Sequence, residues 1–124
     1  MFDHVSIGVP DIGLAQRFYD AALKPLGYSC LSEGDDSLGY GRENVAFWVL
    51  SAERPVPADE KSGLHFCFQA PTPEAVDAFY AAAFAVGGRD NGKPGIRADY
   101  GPDYYAAFVT DPAGYRIEAY CPRS

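Results

Sequence analysis

The chain has 124 residues, 48% of them hydrophobic and 22% charged, which suits a single soluble domain around one core. A net charge of −7 and scattered Lys and Arg argue against nucleic acid as a partner, because basic contacts dominate that binding. Cys30, Cys67 and Cys121 form no C-x-x-C pair, so reduced cytoplasmic thiols are expected, with no disulfide framework or thiolate zinc knot. With neither a basic leader nor a long apolar stretch, no signal peptide or membrane span is expected.

The first predicted element is a strand over Phe2–Val9. Val5, Ile7 and Val9 alternate there with His4, Ser6 and Gly8. Asp11 then caps a helix whose apolar stripe is Leu14, Ala15, Phe18, Tyr19, Ala22 and Leu23. Pro25 and Gly27 end it. Three short strands are expected at about 28–33, 37–42 and 45–51, with a turn at Gly34-Asp35-Asp36. A linker rich in Pro and charge follows at about 53–62.

The second half opens with a strand over Gly63–Ala70. Thr72-Pro73-Glu74 starts a helix carrying Val76, Phe79, Tyr80, Ala83 and Val86 on its apolar face, and Gly87-Gly88 ends it. Residues 89–103, rich in Gly and Pro, read as a loop with room for one short strand. Tyr104–Thr110 and Tyr115–Cys121 read as a hairpin about Asp111-Pro112-Ala113-Gly114, with proline second and glycine fourth as a type I turn prefers.

These elements repeat at an offset of 61 residues. His4-Val5-Ser6-Ile7-Gly8-Val9-Pro10 aligns with His65-Phe66-Cys67-Phe68-Gln69-Ala70-Pro71, and Phe18-Tyr19 with Phe79-Tyr80. The expected fold is therefore α+β: two βαβββ modules, about 1–52 and 63–124, within one domain. Helices would cover one face of a curved mixed sheet and leave the other face as a concave cup.

The chain's two histidines, His4 and His65, stand at equivalent places in the repeat, in phase opposite to the helix-facing residues. On the last strand, Ile117, Ala119 and Cys121 are expected to face the helices, leaving Arg116, Glu118 and Tyr120 toward the cup. Two histidines and one carboxylate suit one divalent metal ion (Fe, Mn, Zn, Ni or Co) with coordination positions left open. Each of these residues alone is more often structural or solvated. Cys67 should share the face of His65, with a buried, inert thiol as its default state. Trp48, Phe47, Tyr40, Tyr100, Tyr104 and Tyr105 are candidates for an aromatic pocket, and Arg42, Arg97 and Arg116 for an anion contact.

Across essentially its whole length the chain resembles the vicinal oxygen chelate superfamily of glyoxalase I, extradiol dioxygenases, fosfomycin-resistance enzymes and bleomycin-resistance proteins. The resemblance is carried by Asp3-His4-Val5, Arg17-Phe18-Tyr19, His65, and Asp111-Pro112-Ala113-Gly114 followed by Ile117-Glu118. It implies metal ligands at His4, His65 and Glu118, a homodimer, and a small oxygenated substrate undergoing isomerisation, lyase or dioxygenase chemistry. The non-catalytic alternative is a drug-sequestering protein of the bleomycin-resistance type. Trp48 aligns with the place of a fourth ligand in glyoxalase I, and Trp does not ligate a metal. Phe108, ten residues before Glu118, stands where extradiol and fosfomycin enzymes resemble one another in having tyrosine. The substrate pocket is expected among Trp48, Cys67, Tyr104, Tyr105, Phe108, Arg116 and Tyr120.

Overall fold

The computed structural model describes residues 1–122. In chain order the elements are β1 (Val5–Val9), α1 (Ile12–Leu23), β2 (Ser29–Glu33), β3 (Ser37–Gly41), β4 (Val45–Ser51), β5 (His65–Gln69), α2 (Pro73–Ala85), β6 (Arg89–Ile96), β7 (Tyr104–Thr110) and β8 (Arg116–Pro122). They build two four-stranded mixed sheets of the same topology, β1-β4-β3-β2 and β5-β8-β7-β6. In each sheet the first strand of the module runs parallel to its last, and the remaining pairings are antiparallel. The 61-residue sequence repeat is thus a repeat of structure. No helix among the described residues is long and apolar enough to cross a membrane.

Local chemistry accounts for the helix ends. The Asp11 carboxylate accepts from Leu14 N, and the Thr72 hydroxyl accepts from Ala75 N, each satisfying a donor the first helical turn leaves open. Helix α1 passes into a 3-10 turn at Lys24–Leu26, which closes at Gly27 with φ of 90°, a conformation glycine adopts without steric cost.

The segment expected to be mostly loop forms the eight-residue strand β6. It lies at the sheet edge, and its register with β7 shifts twice between Asp90 and Gly95. Pro94 brings no N–H, and Gly92 brings no side chain to pack. Such residues are tolerated at edges and bulges, and they hide a strand from its sequence pattern.

The core lies where the helices meet each other and the apolar sheet faces. Phe18, Tyr19 and Leu23 of α1 and Val76, Phe79 and Ala83 of α2 are fully buried. Phe47 of module one meets Phe66 and Phe68 of module two edge-on, with centroids 5.9 and 5.2 Å away. Tyr40 and Phe47, candidate pocket residues by sequence, belong to this buried core.

A polar joint runs through it. Asp111, 3% exposed, receives the Tyr19 hydroxyl from α1 at 2.5 Å and the backbone N–H groups of Ala113 and Tyr115. Tyr115 in turn donates its hydroxyl to Gly8 O of β1 at 2.6 Å. Burial, followed by the Asp111 charge, raises the Tyr19 pKa well above its usual value, so Tyr19 stays a neutral donor. The turn closes through Gly114 N donating to Asp111 O, with Gly114 at φ of 98°. The Asp-Pro-Ala-Gly signature therefore ties module two to module one.

Removing this carboxylate leaves Tyr19 and two backbone donors without their partner inside the core. Asp111→Ala should lower stability by roughly 2–4 kcal/mol, and Tyr115→Phe by about 1 kcal/mol. Urea unfolding followed by circular dichroism measures both. A loss under about 0.5 kcal/mol for Asp111→Ala would remove the joint from the stabilising interactions.

Candidate functional site

The strand period places the site. On β5, Phe66 and Phe68 turn to the core, so His65, Cys67 and Gln69 turn the other way. On β8, Ile117, Ala119 and Cys121 are core residues, so Arg116, Glu118 and Tyr120 take the opposite face, as the sequence pattern predicts. The parallel pairing sets His65 beside Arg116 and Cys67 beside Glu118. On β7, Phe108 stands opposite Glu118 and Tyr104 opposite Pro122.

At the centre, His65 Nε2 lies 2.8 Å from Glu118 Oε1. Tyr104 donates its hydroxyl to the other carboxylate oxygen, Oε2, at 2.6 Å. Glu118 is 2% exposed, while His65 remains open to solvent. Phe108 stacks against His65, and the Tyr104 and Tyr120 rings stack at 4.0 Å. Tyr100 meets Tyr104 edge-on at 5.2 Å.

Burial and the bond to Glu118 push the Tyr104 phenol upward from its ordinary pKa. Cys67 is exposed as a residue rather than buried, because β5 is the edge strand of its sheet. Its thiol still tucks against Glu118. Desolvation first and the Glu118 charge second push its pKa to about 12, so it stays protonated at neutral pH.

The remaining sequence candidates divide. Arg116 lies at the site's margin, with Nε bonded to Leu64 O. Tyr105 faces the opposite way and donates to Asp77 of α2, because it is one residue out of phase with Tyr104. Arg97 is folded over Phe108 and donates to Gly95 O and Lys93 O. Arg42 packs over Tyr28 and donates to Leu26 O.

His4 is not brought to His65 and Glu118 within one chain. It precedes β1 and pairs with its neighbour Asp3 at 2.7 Å. Among the described residues no group of three or more His, Cys, Asp or Glu side chains gathers to hold a metal. The two donors that do converge fit an ion in part: adjacent ligands at about 2.1 Å from one centre stand roughly 3 Å apart.

Trp48 pairs with Ser6 in the register that pairs Glu118 with Cys67. It is the module-one counterpart of Glu118, with an indole in place of a carboxylate. Gly39 makes room for that ring, since a Cβ there would lie 2.9 Å from Trp48 Cζ3 and from both Val45 methyls.

A groove of about 920 Å³ lies between the modules, with Cys67 among its lining residues. Val5, Tyr28, Tyr40, Phe47, Phe66 and Phe68 line it. Sequence reasoning assigned the aromatics to one pocket. Tyr40 and Phe47 line this groove and Tyr100 and Tyr104 stand at Glu118, while Tyr105 turns to Asp77 and Trp48 lies on the first-module sheet.

The family model for the Glyoxalase/Bleomycin resistance protein/Dioxygenase superfamily matches residues 1–119. The chain belongs to that superfamily. Its fold matches a glyoxalase/bleomycin resistance protein from Albidiferax ferrireducens T118 with a TM-score of 0.83 and 34% identity, over 97% of this chain and 98% of that one. A glyoxalase-related enzyme from Fulvimarina pelagi matches with a TM-score of 0.75 and 14% identity, over 97% and 86%. A genomically encoded fosfomycin resistance protein from Listeria monocytogenes matches with a TM-score of 0.71 and 12% identity, over 97% and 91%. These last two are likenesses of fold alone. A search of curated proteins finds no match.

The contact between Gly39 and Trp48 gives a direct check on the module-one face. Gly39→Ala should destabilise by about 1–3 kcal/mol through overpacking. It should also shift the fluorescence of Trp48, the single tryptophan. Unchanged emission together with unchanged stability would place the indole elsewhere.

Proposed function

We propose that the protein is a metal-dependent enzyme of the glyoxalase and dioxygenase type, acting on a small oxygenated organic substrate. Isomerase, lyase and dioxygenase reactions all suit this reading. The observation that carries it is the His65–Glu118 pair, whose donor atoms converge at 2.8 Å on the face away from the core. His65 and Glu118 supply two ligands to one divalent ion (Fe, Mn, Zn, Ni or Co), and His4 supplies the third from a second copy of the chain. The bound ion would act as a Lewis acid for anionic oxygen on the substrate.

The residues around the pair suit that work. Phe108 and the tyrosine stack exclude water from one side of the donors, and Arg116 offers a cationic margin to an anionic substrate group. Trp48 contributes no ligand, so positions remain open for substrate.

Topology supports dividing the ligands between two copies. His4 precedes β1, and His65 begins β5; these are edge strands of different sheets. An exposed edge is where another chain pairs. A homodimer that brings the β1 region of one copy to the β5 sheet of the other completes the triad. Such a dimer also covers Phe2, which is 80% exposed.

Mixing two defective chains tests this arrangement. Neither His4→Ala nor His65→Ala homodimers should retain high-affinity metal. Their heterodimer keeps one complete set, with His4 from one chain and His65 and Glu118 from the other. Metal analysis of the purified heterodimer should find one ion per dimer. A heterodimer as empty as its parents would refute ligand sharing, and His65→Ala protein with full occupancy would refute the metal site itself.

One observation favours a second reading, a drug-sequestering protein without catalysis: the aromatic groove has the size of a ligand pocket. Bleomycin binding that persists in EDTA, by protein carrying no stoichiometric metal when purified without chelator, would favour that reading. Binding lost with the metal, or no binding, would count against it.

A further inference from the structure

We infer that Tyr104 is a positioning residue that makes Glu118 present a single oxygen to the metal ion; this rests on the metal-centre reading above. A carboxylate can bind a cation through one oxygen or both. Here the two oxygens are already distinguished. Oε1 faces His65 Nε2 at 2.8 Å, and Oε2 accepts the Tyr104 hydroxyl at 2.6 Å. To bind through both oxygens, Glu118 must give up or distort a short bond to a charged acceptor, among the stronger hydrogen bonds in proteins.

The hydroxyl itself is held in place. The Tyr104 ring lies between Tyr120, stacked at 4.0 Å with planes 24° apart, and Tyr100, edge-on at 5.2 Å. Glu118 is 2% exposed, so bulk water is poorly placed to substitute for the donor. Phe108, which stands directly across from Glu118, has no donor and stacks on His65 instead. The donor comes from farther along β7, where Tyr104 reaches back along the sheet from its place opposite Pro122.

The consequence is an additional coordination position. With Glu118 held to one oxygen, a bound ion would keep free the place that a second carboxylate oxygen would take, and a substrate oxygen could fill it. Partners that orient a metal ligand in this way change affinity by about 10–100-fold when removed. Tyr104→Phe deletes the hydroxyl and keeps the stacked ring, so it separates the hydrogen bond from the packing.

Cobalt(II) titration of full-length wild type, Tyr104→Phe, Tyr120→Phe and Glu118→Gln, followed by calorimetry and visible absorption, tests the assignment. Tyr104→Phe should bind Co(II) about 10–100-fold more weakly, with an altered visible spectrum. Tyr120→Phe should match wild type, and Glu118→Gln should lose high-affinity binding. Wild-type affinity and spectrum in Tyr104→Phe would overturn the role of Tyr104 and leave the metal centre standing. Equal weakening in Tyr120→Phe, which also keeps its ring, would overturn it too, by showing that the effect is not particular to the hydroxyl bonded to Glu118. Wild-type protein that takes up no Co(II), or Glu118→Gln that binds as wild type does, would overturn the metal centre and this proposal with it.

Discussion

The buried carboxylate of Asp111 joins the two halves of the molecule. It receives a hydroxyl from α1 of the first module and two backbone donors from the β7–β8 turn of the second. Tyr115, held by that turn, returns a hydroxyl to β1. Neither helix could cover its own sheet and also meet the other helix without fixing how the modules sit together. A buried ionisable group with several aimed donors does so more specifically than apolar contact, because each unmet donor inside the core carries a penalty.

This joint also decides what meets at the surface. With the helices packed together, Phe47, Phe66 and Phe68 close across the module junction. The strand pleat then sends His65 and Cys67 to the opposite side, where β8 supplies Glu118 and β7 supplies Tyr104. The site thus belongs wholly to the second module within one chain. Its first-module equivalent holds Trp48 where the second holds Glu118, so among the described residues the duplicated fold forms the His–Glu pair in the second module.

Much of this was legible in the sequence because it depends on short-range patterns. The period-two alternation around His65 and Glu118 assigned both to one face, and the caps at Asp11 and Thr72 began the helices where the structure begins them. Strand β6 was harder to see, because Gly92, Pro94 and Gly95 suppress both alternation and propensity, and only pairing with β7 makes the segment a strand. Tyr105 was placed in the pocket beside Tyr104, although neighbouring strand residues point to opposite faces; the bond to Asp77 shows which face it takes. The hydroxyl of Tyr104 on Glu118 had no sequence signal, since it spans two strands at a diagonal reach that spacing along one chain does not encode.

The sequence by itself determined the βαβββ repeat and the face on which His65 and Glu118 lie, whereas Trp48 at the place of a fourth ligand was implied by the resemblance to glyoxalase I, not by the residue pattern. The repeat and the shared face follow from local period and internal repetition. Only the tertiary structure decided that His65 and Glu118 come within 2.8 Å, that Tyr104 occupies the second oxygen, and that His4 stays with Asp3 away from both. Repeat symmetry makes the two histidines equivalent within their modules. It says nothing of how the modules are joined, which rests on long-range contacts among Tyr19, Asp111, Tyr115 and Gly8.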